Sequence, residues 1–335
     1  MVKTITILGA GGWGTALAIH LNNRSYKVRL WGRNPEYVSW LRRYRENTKY
    51  LPGISISESI KLTSELPEAL EETNLMVMAV PAQFCRSVLI HLMGALPKDT
   101  PIVSVTKGIE NETLMLPSEI IKYTLGRVRV GVLSGPSHSE EVARHLPASV
   151  VVSSKDADLM KLLQSVFTGD RLRVYTNPDL VGVEFGGAAK NVVAIASGIC
   201  EGMALGDNAR AALVSRGLVE MARLGTAMGA KKNTFFGLSG LGDLVTTCYS
   251  PYGRNREVGF KIGKGTKLSQ VLQGMAKVAE GVATAQSIVQ LAKKHEVEMP
   301  ISQEVYRMLY EDKDPAVAVK DLMLRTPKSE VEDLI

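Results

Sequence analysis

Near the N-terminus, Gly9-Ala10-Gly11-Gly12-Trp13-Gly14 follows a short β-branched run (Lys3–Leu8) and opens a helical pattern (Thr15–Leu21). Gly9, Gly11 and Gly14 have the spacing with which a strand-to-helix turn receives a dinucleotide. The first glycine makes the tight turn, the second lets a pyrophosphate approach the backbone, and the third lets helix pack on strand. The helix N-terminus that follows offers free N–H groups and a positive dipole end to phosphate, and Gly12 and Trp13 count with the three glycines as candidate cofactor contacts. A plain glycine turn has the same composition, but a strand on either side of the helix favours the nucleotide. The second strand ends at Leu30-Trp31-Gly32-Arg33-Asn34. NAD-specialised chains usually place an acid here, about 20 residues past the glycines, against the ribose hydroxyls. Arg33 can instead take a 2′-phosphate bidentately or stack on adenine. Use of NADP(H) at least equal to that of NAD(H) is expected; a solvated surface arginine is the plain alternative.

A second chemical feature lies mid-chain. Asn177-Pro178-Asp179 has the order of N-cap, N1 proline and acidic first turn, so a long helix is expected to start there. On it, Val183, Gly186, Gly187, Lys190, Ala194 and Ser197 share one stripe, a single lysine among small residues. Glycine inside a helix costs about 1 kcal/mol relative to alanine, which implies close approach of another backbone or of a ligand. The spacing leaves two alternatives open: a lysine aimed into a site, or tight helix packing with Lys190 snorkelling to water.

These features require a scaffold. The 335 residues suggest two domains at roughly 150 residues each. From Val2 to about Asn177, strand candidates (Lys3–Leu8, Lys27–Trp31, Leu75–Val80, Ile102–Val105, Arg129–Leu133, Ser149–Ser153, Leu172–Tyr175) alternate with helical segments. That alternation predicts right-handed βαβ crossovers and a mostly parallel sheet over 1–177. Helical period then dominates, predicting an all-α domain over 178–335, with helices near 207–229, 252–262, 281–295 and 301–310. Hydrophobic residues at 45% and charged residues at 22% exclude a disordered chain. The formal charge of +6 permits anionic partners, but no basic run supports nucleic-acid binding. Cys85, Cys200 and Cys248 are too scattered for a disulfide framework, and the five histidines form no metal-binding spacing. The apolar run Ile5–Leu8 stops at glycines, so no secretory signal is expected, and no stretch approaches the ~18 apolar residues of a membrane span. A cytoplasmic protein, not embedded in a membrane and holding no metal, is expected.

Gly187-Ala188-Ala189-Lys190-Asn191-Val192-Val193-Ala194 resembles the signature of the bacterial NAD(P)-dependent glycerol-3-phosphate dehydrogenases. Further matches follow in order along residues 3 to 325. They are Gly9–Ala18, Tyr50-Leu51-Pro52-Gly53, Val80-Pro81, Lys107-Gly108, Gly135-Pro136-Ser137, Gly206–Ala209, Gly237–Leu244, Arg254-Asn255 and Glu280-Gly281. The resemblance implies a Rossmann-like, doubly wound dinucleotide-binding domain over 1–177, a helical substrate-binding domain over 178–335, an active site in the cleft between them, and a cytoplasmic homodimer. It also implies reversible hydride transfer between NAD(P)H and dihydroxyacetone phosphate, giving sn-glycerol 3-phosphate for phospholipid synthesis.

By the same resemblance Lys190 is the acid/base lysine, a role in which burial and neighbouring cations help by lowering a lysine's usual pKa of about 10.4. Lys107 is a second active-site lysine touching substrate and cofactor. Asp243 stands beside the substrate hydroxyls. Gly253, Arg254 and Asn255 take the substrate phosphate, and Gly135 and Ser137 contact substrate. Tyr50, Ser139, Arg254, Val278 and Glu280 reach the cofactor. From the residues alone, Lys107 reads more readily as an exposed loop lysine before Gly108, and Asp243 is equally a turn or N-cap aspartate. Two departures stand out: His138-Ser139 replaces the usual Phe-Ala, and Gly253 replaces a frequent serine. His138 could then titrate beside the site as a secondary acid. The competing readings are another dehydrogenase of the superfamily, whose signatures are missing, and a non-catalytic NADP-binding sensor. Joint retention of Lys190, Lys107 and Asp243 counts against the sensor.

Overall fold

The computed structural model describes residues 2–275, 279–327 and 329–330. They form two compact units, one of residues up to Thr106 together with Met115–Leu180, the other of Lys107–Leu114 together with the residues from Val181 onward.

The first unit is built on strands β1 (Thr4–Leu8), β2 (Lys27–Trp31), β3 (Glu46–Asn47), β4 (Leu51–Ser55), β5 (Lys61–Thr63), β6 (Leu75–Met78), β7 (Ile102–Ser104), β8 (Val130–Ser134), β9 (Ala148–Ser154) and β10 (Leu172–Thr176). Eight of them form one sheet in the order β10-β9-β8-β7-β6-β1-β2-β5, while β3 and β4 make a separate antiparallel pair. Its helices are α1 (Gly12–Asn23), α2 (Pro35–Tyr44), α3 (Leu66–Leu70), α4 (Ala82–Ile90), α5 (Pro117–Leu125), α6 (Ser139–Ala143) and α7 (Ala157–Phe167). Strand pleat divides the core in two. Ile5, Ile7, Leu75 and Val77 pack with Leu17 and Leu21 of α1 and with Leu159 and Leu163 of α7. Leu8, Met76 and Met78 pack with Val88 and Leu89 of α4 and with Ile120 and Ile121 of α5. Helices on both faces bury the strands on both sides, so β6 (Leu75–Met78) is a continuous apolar run, and in β1 even the alternating Thr4 and Thr6 are buried. The sheet is mostly parallel as expected. Its one antiparallel ladder joins β8 to β9, with Gly131 opposite Ser154.

The second unit contains α8 (Leu180–Gly202), α9 (Gly206–Ala227), a 3₁₀ turn (Lys232–Phe236), a π turn (Leu238–Gly242), α10 (Asp243–Tyr249), α11 (Arg254–Gly263), α12 (Leu268–Gln273), α13 (Glu280–Lys294), α14 (Pro300–Tyr310) and α15 (Pro315–Met323). The long helix starts at Leu180, two residues later than the proline suggested, because the Asn177 side chain accepts from the Asp179 amide (2.9 Å) in a turn ahead of the helix. Contrary to the expectation of no membrane-length segment, α8 is long and apolar enough to cross a bilayer, with a mean hydropathy of 1.2 in its most apolar window. That window is 94% buried inside the protein, as in a central core helix.

Lys107–Leu114 folds with the helical unit, although a single cut at 177 assigns it to the first domain. Side-chain bonds explain this. Ser287 Oγ on α13 donates to Asn111 Oδ1 (2.6 Å), and Asn111 Nδ2 donates to Gln286 Oε1 (3.0 Å). Asn191 Nδ2 on α8 donates to the Lys107 carbonyl (3.0 Å).

Candidate active site

In the helical unit, the small residues of α8 let other backbone segments reach it. A Cβ on Gly186 would stand 2.7 Å from the Ser239 carbonyl, and one on Gly259 of α11 only 1.9 Å from the Ile195 carbonyl. The stripe is therefore a packing surface and, one turn beyond Gly186, also carries Lys190. The π turn that crosses Gly186 delivers Asp243 to the first position of α10.

There Asp243, 2% exposed, accepts from two lysines. Lys190 Nζ lies 2.9 Å from Oδ1 and Lys107 Nζ 2.7 Å from Oδ2. Lys190 Nζ also donates to Thr247 Oγ1 (2.5 Å), one helical turn after Asp243. An ammonium has three donors, and the third on Lys190 has no partner among the described residues. Burial pulls Lys107 down to about 8, against the raising effect of Asp243 and with help from the Lys190 charge. For Asp243, burial favours the neutral acid, but the Lys107 and Lys190 charges and their hydrogen bonds outweigh it and hold the carboxyl below its usual range. The result is a desolvated cluster of two cations and one anion.

A ladder of side-chain amides fixes its surroundings. Besides holding Lys107, Asn191 accepts through Oδ1 from Asn255 Nδ2 (2.9 Å), and Asn255 Oδ1 accepts from the Gly281 amide (3.0 Å). Asn255 thus joins the N-termini of α11 and α13 to the lysine cluster. Arg254 is exposed in the first turn of α11, and Glu280 is the first residue of α13. A Cβ at Gly253 would lie 2.9 Å from the Thr247 carbonyl, so the expected serine would have to displace backbone here. Val278 lies outside the described residues. Asn191 and Thr247 were absent from the sequence-derived site. The first had a signal in its adjacency to Lys190, the second only in its i+4 spacing from Asp243.

The first unit gathers the other set. Gly9 has φ +118°, a left-handed conformation open to glycine, and a Cβ there would meet the Ala79 carbonyl at 2.6 Å. A Cβ at Gly14 would lie 1.9 Å from the Gly9 carbonyl, whereas one at Gly11 would meet open space. Gly11 is the N-cap of α1, where no side chain caps the helix and no acid sits in the first turn. The buried Trp13 indole N–H has no hydrogen-bond partner among the described residues. Tightness at Gly9 and Gly14, space at Gly11 and uncapped amides fit a dinucleotide pyrophosphate. Tyr50 and Ser139 flank the turn: a Cβ at Gly12 would stand 2.8 Å from the Tyr50 carbonyl and 3.0 Å from Ser139 Oγ. The Gly9 amide donates to the Trp31 carbonyl (2.9 Å), which sets the end of β2 beside the turn. Arg33, exposed two residues further on, makes no ion pair among the described residues.

Gly135 and Ser137 follow β8 in this same unit, with Ser137 Oγ donating to the Gly135 carbonyl (2.9 Å). His138 is the N-cap of α6 without a side-chain cap bond. Among the described residues no cluster of His, Cys, Asp or Glu could hold a metal ion.

Residues 4–160 match the N-terminus, and 179–320 the C-terminus, of the NAD-dependent glycerol-3-phosphate dehydrogenase family. The chain is 47% identical over 332 residues to glycerol-3-phosphate dehydrogenase [NAD(P)+] of Moorella thermoacetica, covering 99% of each chain. It is 48% identical to one from Salinibacter ruber, covering 98% of this chain and 97% of that one. A crystal structure of glycerol-3-phosphate dehydrogenase from Coxiella burnetii superposes with a TM-score of 0.94 at 40% identity, covering 97% of this chain and 99% of the other. This chain belongs to the NAD-dependent glycerol-3-phosphate dehydrogenase family.

Proposed function

We propose that the protein catalyses the reversible, NAD(P)H-dependent reduction of dihydroxyacetone phosphate to sn-glycerol 3-phosphate, with Lys190 as proton donor and acceptor. The observation that carries this is the buried cluster in which Asp243 holds both Lys190 and Lys107. When bound, the nicotinamide supplies the hydride to the substrate's carbonyl carbon. Lys190, with two donors fixed on Asp243 and Thr247, turns its third toward the carbonyl oxygen and gives up a proton as negative charge develops there. Asp243 aims the ammonium through its 2.9 Å contact. Lys107 adds a second positive charge beside the oxygens of the substrate. In the reverse direction, neutral Lys190 takes the hydroxyl proton.

The phosphate is taken by the N-terminus of α11. Arg254 supplies a guanidinium fork, the first-turn amides add partial positive charge, and Asn255 has one N–H left beyond its bond to Asn191. Gly135 and Ser137 are proposed to add contacts to substrate, and Tyr50, Ser139, Lys107, Arg254, Val278 and Glu280 to the cofactor. The glycine turn takes the pyrophosphate and Arg33 the 2′-phosphate of NADP(H). A cytoplasmic homodimer supplying glycerophospholipid synthesis completes the proposal. The family supports this, and Cys85, Cys200 and Cys248, buried and joined in no disulfide among the described residues, fit a reducing compartment.

Following NADPH absorbance with dihydroxyacetone phosphate, and separately with unphosphorylated dihydroxyacetone, tests the assignment. Turnover of the phosphate ester alone is expected. Tight NADPH binding with no turnover of either compound would favour the sensor reading instead.

A further inference from the structure

We infer that Asn47, which touches neither reacting group, is the positioning residue that holds the glycine turn in its nucleotide-receiving shape and ties it to the segment carrying Arg33. The inference rests on the dinucleotide reading of that turn. Asn47 ends the two-residue strand β3 and is 0% exposed. Its carboxamide is fully used. Nδ2 donates to the Ala10 carbonyl (3.0 Å) and to Thr15 Oγ1 (2.7 Å), while Oδ1 accepts from the Tyr37 hydroxyl (2.6 Å) and the Tyr50 amide (3.1 Å).

Those four partners are the parts of the cofactor cradle. Ala10 lies between Gly9 and Gly11, and Thr15 follows Gly14, so one NH₂ group bridges both ends of the turn. Tyr37 stands in the first turn of α2, where its amide donates to the N-cap Asn34 (2.8 Å), the residue after Arg33. Tyr50 presents its carbonyl to Gly12. The Tyr37 and Tyr50 rings meet edge to face at 5.7 Å, with the Lys49 ammonium over both.

The physical need is clear. A turn with four glycines in six residues has much conformational freedom to lose, and a phosphate can be bound tightly only if its amides already converge. No side chain within the turn can impose that convergence. Asn47 imposes it from outside, through the four hydrogen bonds of its buried carboxamide. The same amide makes the pyrophosphate and adenosine ends one preorganised body.

The test is equilibrium titration of NADPH and of NADH by protein fluorescence, without substrate, for wild type, Asn47→Asp and Thr15→Val. Asn47→Asp keeps the shape and the acceptor toward Tyr37 but sets an oxygen against the Ala10 carbonyl. Kd for both cofactors should rise about 10- to 100-fold, the loss of two such bonds. kcat at saturating cofactor and KM for dihydroxyacetone phosphate should stay within about twofold. Thr15→Val, which deletes one acceptor at constant shape, should raise both Kd values about three- to tenfold, and it decides the matter should Asn47→Asp not fold. A wild-type chain that binds neither cofactor removes the dinucleotide reading and this inference with it. Wild-type binding with unchanged Kd in the variants, even if their melting temperature falls, overturns the inference alone.

Discussion

Lys107 and Lys190, 83 positions apart in the chain, share one buried carboxylate: Asp243 offers a separate oxygen to each, at 2.7 and 2.9 Å. Two ammonium groups this close repel, and in a desolvated site the pair is held only by the anion between them.

Removing that anion should therefore be costly. Asp243→Asn is expected to lose about 3–5 kcal/mol of stability, the usual consequence of leaving buried charges uncompensated. It should also lower kcat/KM by about 100-fold or more by disorienting Lys190. Urea unfolding and steady-state rates check both; a variant as stable as wild type would mean that the lysines find other compensation.

Lys107 gives a pH dependence. With its ammonium brought down to about 8 by burial, it is cationic below that pH and neutral above it. If its charge assists a phosphorylated substrate, kcat/KM for dihydroxyacetone phosphate should decline as pH rises through 8. In Lys107→Arg, whose guanidinium stays protonated, the decline should move upward. A wild-type profile that is flat from pH 7 to 9 contradicts this role.

Glu220 gives a pH dependence of stability unrelated to catalysis. It is buried on α9 and accepts from the Ile301 amide (2.6 Å) and from the amide and hydroxyl of Ser302 (3.1 and 3.0 Å) at the start of α14. Burial nevertheless pushes it up to about 7, against an ordinary 4.5. Between those values the native state holds a proton that the unfolded chain releases, so its contribution to stability falls as pH rises from 4.5 to 7, then levels off. The stability difference between wild type and Glu220→Gln should shift in favour of the variant by a few kcal/mol over that range. Chemical denaturation at pH 5 and 7.5 measures it, and a constant difference refutes it.

Arg33 should set cofactor choice. Arg33→Asp is expected to lower the ratio of kcat/KM for NADPH to that for NADH by about tenfold or more, the worth of a charge-assisted hydrogen bond. An unchanged ratio leaves Arg33 as a solvated side chain.

Local chemistry was readable where it depends on neighbours in the chain. The glycine turn declared itself because strand, glycines and helix are contiguous, and the stripe on α8 showed both the small residues and Lys190. The other partners come from long range. Lys107 meets Asp243 across 136 positions, so spacing could not separate a buried site lysine from a loop lysine. Thr247 needed the position of Asp243 on α10, which follows a π turn with no sequence period. Asn47 lies in a short hairpin whose Leu51-Pro52-Gly53 has no strand alternation, and its partners are known only once the turn is folded. The allegiance of residues 107–114 was hidden because it is decided by Asn111, Ser287 and Asn191 side chains and not by any break in pattern.

The most direct measurement is single-turnover oxidation of NADPH by dihydroxyacetone phosphate in wild type and Lys190→Ala, with NADPH affinity measured in parallel. The account predicts that the variant binds NADPH as wild type does and reacts about 10²- to 10⁴-fold more slowly, the range of a positioned proton donor. Lys190→Ala turning over at the wild-type rate would contradict it.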